Sequence, residues 1–210
     1  MVDKIKNDYL MEHPDEALRL DIKTDPDAVR EQALLCGIGP GARVLDVGCG
    51  SGRASSVLHE IVGPEGEVVG VDYSEARLGY ARQHFCKKPG ISFHVADFTH
   101  PMPDLGWFDF IWVRFVLEYF LREARDIVAN LSNNLEPDGR LCLLDLDHNS
   151  LNHYPLPKEM DAILNAAFVR SAEQLNFDPY AGRKLYSYLY DQKYRDIRVN
   201  MVPHHLIYGE

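Results

Sequence analysis

Val44-Leu45-Asp46-Val47-Gly48-Cys49-Gly50-Ser51-Gly52-Arg53 is the stretch that decides how this chain folds. The apolar run Arg43–Val47 ends in closely spaced glycines, and a stripe of Val57, Leu58, Ile61 and Val62 follows at helical spacing. That order reads as a strand, a tight turn and a helix. Glycine takes positive φ without steric cost and lets the backbone approach a ligand. The helix N-terminus beyond it offers free N–H groups. Nucleotide and dinucleotide binders share these features, and the spacing separates them. A G-x-G-x-x-G fingerprint counted from Gly48 needs a third glycine where this chain has Arg53. Here the third glycine comes one residue early, at Gly52. Asp46 stands two residues before the first glycine. Its carboxylate suits a cationic ligand and would repel a pyrophosphate. No G-x-x-x-x-G-K-[ST] occurs, which excludes a P-loop.

Outward from this turn the pattern alternates. Glu67–Val71, Ile91–Ala96, Phe108–Val113 and Arg140–Leu146 read as further strands. Between them, Ser74 can cap a helix carrying Leu78, Ala81 and Phe85. A second helix carries Ala124, Val128, Leu131 and Leu135 and is expected to end at Glu136-Pro137-Asp138-Gly139. Apolar strands alternating with amphipathic helices mean βαβ units and a parallel sheet. Right-handed crossovers then give an α/β, doubly wound, three-layer sandwich. Two helices precede it. His13-Pro14-Asp15-Glu16 places Pro at a first helical position. Asp25 is an expected N-cap before Pro26, with Val29, Ala33 and Cys36 on one face and Gly37 at the end. Beyond residue 150, Lys158–Asn176 and Arg183–Tyr194 look helical, and Ile197–Tyr208 is β-like with Pro203 within it. No linker divides the chain, so one domain is expected. It comprises an N-terminal helical lid (1–36), a core (37–150) and a helical cap with a last strand (151–210). The abrupt end at Tyr208-Gly209-Glu210 leaves room for a longer natural protein.

Composition bounds the partners. Of 210 residues, 22 are Lys or Arg and 32 are Asp or Glu, a formal charge of −10. Hydrophobic residues make up 46% and charged residues 26%, which fits a globular chain rather than a disordered one. The acidic balance disfavours binding nucleic acid through its phosphates and docking on anionic lipid. No window reaches the ~18 apolar residues of a membrane span, and the N-terminus has no signal-peptide h-region. Cys36, Cys49, Cys86 and Cys142 show no CxxC pair and no zinc spacing, so no metal is expected. They read as reduced thiols in a cytoplasmic protein. The oligomeric state is not legible.

Further segments then fall into register. Val69-Gly70-Val71-Asp72-Tyr73-Ser74 ends a strand on an acid, and Val95-Ala96-Asp97-Phe98 ends the next. Phe108-Asp109-Phe110-Ile111-Trp112 and Leu135-Glu136-Pro137-Asp138-Gly139-Arg140-Leu141 follow. With residues 44–52, these resemble the ordered motifs of class I S-adenosylmethionine (SAM)-dependent methyltransferases, the Rossmann-like methyltransferase superfamily. Asp138 stands where the family's L-x-P-G-G turn has a glycine. The match spans residues 37–147.

The resemblance implies SAM as cosubstrate and S-adenosylhomocysteine as product. It implies that Gly48, Cys49, Gly50 and Gly52 pass beneath the methionine part and that Asp46 orders its amino group. Asp72 would accept both ribose hydroxyls, and Asp97 would accept from the adenine amine. Tyr73 or Phe98 would flank the adenine. Arg114, after the fourth strand, would line the place where methyl donor and acceptor meet, with its backbone near the methionine. A general base is needed only where the acceptor must lose a proton; the candidates are His148, His153 and Tyr154. Trp112-Val113-Arg114-Phe115 stands where base-methylating enzymes carry an NPPY-like turn, so a small-molecule acceptor is expected. Tyr9, Leu10 and Met11 could fold over the cosubstrate. Two rivals are an aminopropyltransferase, whose acidic motif after the fourth strand is not matched, and a non-catalytic SAM-binding regulatory or partner subunit on the same fold.

Overall fold

The computed structural model describes residues 13–148 and 155–203. In chain order the elements are α1 (Glu16–Lys23), α2 (Pro26–Cys36), β1 (Arg43–Val47), α3 (Arg53–Val62), β2 (Glu67–Asp72), α4 (Glu75–Phe85) and β3 (Ile91–Val95). Then come β4 (Phe108–Arg114), α5 (Ala124–Leu131), β5 (Leu135–Leu144), α6 (Lys158–Leu175) and α7 (Leu185–Asp191). Local chemistry sets several boundaries. The Asp25 carboxylate accepts from Asp27 N–H at 2.9 Å and caps α2, and Gly37 closes it at φ +88°. The Ser74 hydroxyl accepts from Arg77 N–H at the start of α4.

The strands pair in the order β3-β2-β1-β4-β5, all parallel, so the predicted α/β doubly wound sheet is what forms. Leu45 stands opposite Val69 on one side and Ile111 on the other. Side chains alternate across the sheet. Leu45, Val47, Val69, Val71, Ile111 and Val113 therefore meet Ile127, Val128 and Leu131 of α5. Val44, Val68, Phe93 and Trp112 meet α2, α3 and α4 through Ala33, Leu58 and Leu78. Each fully buried aliphatic side chain contributes about 1.5–3 kcal/mol, which is why both faces are covered. Strand order reverses between β1 and β4, and a crevice at the carboxyl ends follows from that reversal.

Four expectations change. Pro14 precedes α1 by two residues, because His13 first accepts from Asp15 and Glu16 N–H and forms a turn. Leu135 leaves the helix and pairs with Phe108 of β4. Residues 136–139 form an irregularity before Arg140 pairs with Phe110. Residues 197–203 carry no regular secondary structure in place of the expected strand, and 204–208 lie outside the described residues. Among the described residues, no helix is long and apolar enough to cross a membrane.

Candidate functional site

The turn after β1 is tied to its neighbour strand. Gly48 and Cys49 N–H both donate to Val71 O, at 2.8 and 3.0 Å. Gly48 lies at φ +69°, and a Cβ there would fall 2.5 Å from Val116 Cγ2. Gly52 lies at φ +80°, and its Cβ would fall 2.8 Å from both Ala81 Cβ and Phe93 Cζ. The protein itself therefore requires these glycines, whatever ligand passes over them. Leu20 of α1 lies over Gly50, and Asp21 joins Arg53 Nε at 2.5 Å and the Tyr80 hydroxyl at 2.6 Å. The first described helix is thus fastened across the turn.

Two strand-end acids are buried beside it. Asp46 is 2% exposed, and Ser55 Oγ donates to its Oδ2 at 2.5 Å. Burial pushes its carboxyl up to about 7, against the opposing pull of Ser55 and Arg114. Asp72 accepts from Gly50 N–H, Ser74 N–H and the Arg77 guanidinium. Burial works against the charge on Arg77, but Asp72 and Tyr73 outweigh it and hold its pKa above the usual arginine value.

A narrow cleft opens between the ends of β2, β3 and β4. Tyr73, Ala96, Asp97, Phe98, Thr99 and Phe120 line about 160 Å³ of space. In this conformation the gap is too tight for a water molecule, so a planar ligand requires it to widen. Three predicted residues, Tyr73, Asp97 and Phe98, come together here. Asp97 Oδ1 accepts from Thr99 N–H and Oγ1–H at 3.1 and 2.5 Å, and His100 Nδ1 lies 3.2 Å from Oδ2. Phe98 is also a core residue, 2% exposed and edge-on to Phe120.

Other predicted residues take other places. The Arg114 guanidinium does not line the cleft. It donates to Gln32 Oε1 of α2 at 2.9 Å and lies 4.2 Å over the Phe115 ring. Burial pushes its pKa down, against the opposing fields of Asp46 and Asp25. The Cys49 side chain packs into the core, and burial raises its thiol pKa well above the ordinary range. His148 sits at φ +60°, with its ring 5.4 Å from Tyr180, and its buried Nδ1 has no partner among the described residues. Tyr9, Leu10, Met11, His153 and Tyr154 lie outside the described residues.

The sequence reading missed three features. Ser55 and Arg77 each occupy the third position of the helix following a strand with an acid at or next to its end. Beyond β5 lies a group of acids. Asp145 accepts from Glu118 N–H at 3.1 Å, and Asp178 pairs with Lys184 at 2.5 Å. Burial, then Glu118, pushes the Asp145 carboxyl up to about 8.

A methyltransferase-domain family matches residues 38–192. The chain belongs to the class I SAM-dependent methyltransferases. An uncharacterised methyltransferase of Schizosaccharomyces pombe is 31% identical over 164 residues, covering 72% of this chain and 56% of its own. The ubiquinone/menaquinone biosynthesis C-methyltransferase UbiE of Ectopseudomonas mendocina is 34% identical over 115 residues, covering 53% of this chain and 44% of its own. The chain spans about half the length of the curated relatives it matches. A SAM-dependent methyltransferase from Aquifex aeolicus shares the fold at TM-score 0.59 and 23% identity, over 94% of this chain and 90% of that one. SAM is accordingly this methyltransferase domain's cosubstrate. The residues fit it on two counts. A buried carboxyl with a neutral hydroxyl as its hydrogen-bond partner stands beside the glycine turn. An aromatic cleft with an acid at its rim stands beyond.

Proposed function

We propose that this methyltransferase moves the methyl group of SAM to a small-molecule acceptor by in-line transfer. The observation that carries this reading is the arrangement at the carboxyl ends of β1, β2 and β3. Asp46 and Asp72 are buried at the glycine turn, and Tyr73, Asp97 and Phe98 line the cleft beyond it. The sulfonium of SAM supplies an activated methyl group when bound, so positioning is the protein's main contribution. Asp46 offers a carboxylate to the ammonium end, and Asp72 offers one to the ribose. Asp97 keeps acceptor capacity at Oδ2 for an adenine amine, and Tyr73 and Phe120 bound the ring space. α1, fastened by Asp21 and Leu20, acts as part of the lid over the turn. The described candidate for a base is His148, whose Nδ1 is buried and unpartnered. It acts where the acceptor must lose a proton. A small acceptor is favoured by the charge of −10, which works against polyanionic partners.

Titration calorimetry with SAM and S-adenosylhomocysteine tests the cosubstrate half. Saturable binding of both is expected, and absence of binding at millimolar concentration would overturn it. Label transfer from methyl-labelled SAM into a metabolite extract tests the rest. A labelled low-molecular-weight product is expected, and label on macromolecules alone would refute the acceptor class.

A further inference from the structure

We propose that Arg77 determines how the ribose is read. It occupies Oδ1 of Asp72 and leaves Oδ2 as the carboxylate oxygen with capacity for a sugar hydroxyl. This inference rests on the cosubstrate reading above. An ionised carboxylate has about four acceptor directions, two on each oxygen. Oδ1 takes Ser74 N–H at 2.9 Å, Arg77 Nη2 at 3.0 Å and Arg77 Nε at 3.3 Å. Oδ2 takes Gly50 N–H at 3.0 Å. Oδ1 is therefore saturated, while Oδ2 keeps one direction open. The contact with both hydroxyls, one to each oxygen, is not available while the guanidinium stays.

The guanidinium is held firmly. The Arg77 and Asp72 side chains are 4% and 6% exposed. Arg77 also lies 4.8 Å over the Tyr73 ring, and Tyr73 reinforces its charge. Removing a guanidinium from a buried carboxylate leaves two desolvated charges uncompensated, which a neutral hydroxyl does not offset. The ribose therefore meets Asp72 with Arg77 in place. Arg77 touches the carboxylate rather than the reacting atoms, so it is a positioning residue. The competing arrangement has a definite location. Arg77 lines a cavity of about 320 Å³ with His13, Pro14, Ala17 and Ala76, into which a displaced guanidinium could swing.

The experiment compares S-adenosylhomocysteine with its 2′-deoxy and 3′-deoxy forms by calorimetry on the full chain and on Arg77→Met. In the unaltered protein, one deletion is expected to weaken binding about tenfold or more and the other less than about threefold. In Arg77→Met, Oδ1 regains a free direction and both deletions cost about tenfold. Equal losses in the unaltered protein would overturn the proposal, because they require Oδ1 to be released. An unchanged pattern in Arg77→Met would overturn it too. A merely structural role lowers affinity for all three ligands by one factor and leaves the pattern as it was. Should Arg77→Met not fold, the unaltered protein and Arg77→Lys still decide, the lysine variant keeping the one-hydroxyl pattern. Failure of S-adenosylhomocysteine itself to bind is a separate result that removes the cosubstrate reading beneath the proposal.

Discussion

Asp46→Asn isolates the cost of keeping an acid inside the sheet. The folded carboxyl titrates at about 7, whereas an unfolded aspartate titrates near ~3.9. Between those values the folded state holds a proton that the unfolded state has lost. Stability therefore falls as pH rises through this window and levels off above about 7. The full effect is about 4 kcal/mol, and about 2–3 kcal/mol of it develops between roughly pH 5 and 7.5. The asparagine side chain cannot ionise, so the variant should gain that much on the unaltered protein across the interval. Its amide brings a buried N–H that costs about 1–3 kcal/mol if unpaired, but this offset is the same at every pH. The slope of the difference is thus the quantity to read, by urea unfolding at a series of pH values. Taking the difference also cancels Asp145, whose carboxyl titrates near 8 and adds its own fall to both proteins. Parallel stability curves over the interval would refute the buried, protonatable Asp46. The same logic applies to binding. A cationic ligand favours the ionised form, so SAM affinity should rise up to about tenfold per pH unit towards neutrality and then flatten. In Asp46→Asn it should be weaker and flat.

Three further outcomes are expected. Asp72→Ala leaves Arg77 buried without its carboxylate; it should lower unfolding free energy by about 3–5 kcal/mol and weaken S-adenosylhomocysteine binding about tenfold or more. Denaturant midpoints and calorimetry check both, and unchanged stability would deny the ion pair. Gly52→Ala sets a Cβ at positive φ against Ala81 and Phe93. It should cost about 2–5 kcal/mol from left-handed strain and overpacking together, measured by urea unfolding. Asp25→Ala removes the α2 cap and should cost about 1 kcal/mol without altering affinity for the cosubstrate. A loss of affinity there would mean that α2 reaches the site, through Gln32 and Arg114.

What was legible in the sequence was local. Apolar runs of five or six residues bounded by Gly and Pro marked the strands, because a parallel sheet buried on both faces needs such runs. Asp25 and Gly37 worked because caps are short-range chemistry. Leu135 did not, although it continues the Ala124-Val128-Leu131 spacing. The chain tightens at Ser132–Asn134, and Asn134 Nδ2 bonds the carbonyls of Met102 and Gly106, both at 2.8 Å. Those acceptors lie about thirty residues away in sequence, beyond the reach of a periodicity. The β-like segment after residue 197 failed for a related reason. Val199, Met201 and Val202 are exposed and, among the described residues, pair with no strand of the sheet.

The site divides along the same line. Asp46, Asp72 and Asp97 could be placed because each follows from where a strand stops. Their partners are also local. In the first two βα units, the third residue of the helix lies beside the acid at or next to the end of the strand before it. Ser55 after the Gly52 cap reaches Asp46, and Arg77 after the Ser74 cap reaches Asp72. The residue type at that third position then decides what the acid can do. A hydroxyl leaves Asp46 able to hold a proton near neutrality and to meet a cation. A guanidinium leaves Asp72 with one oxygen already committed to an ion pair. Two acids of the same chemical type, each at the end of a neighbouring parallel strand, thus become unlike recognition elements. Burial raises the Asp46 carboxyl, and the helical residue beside each acid sets which of its oxygens stay available.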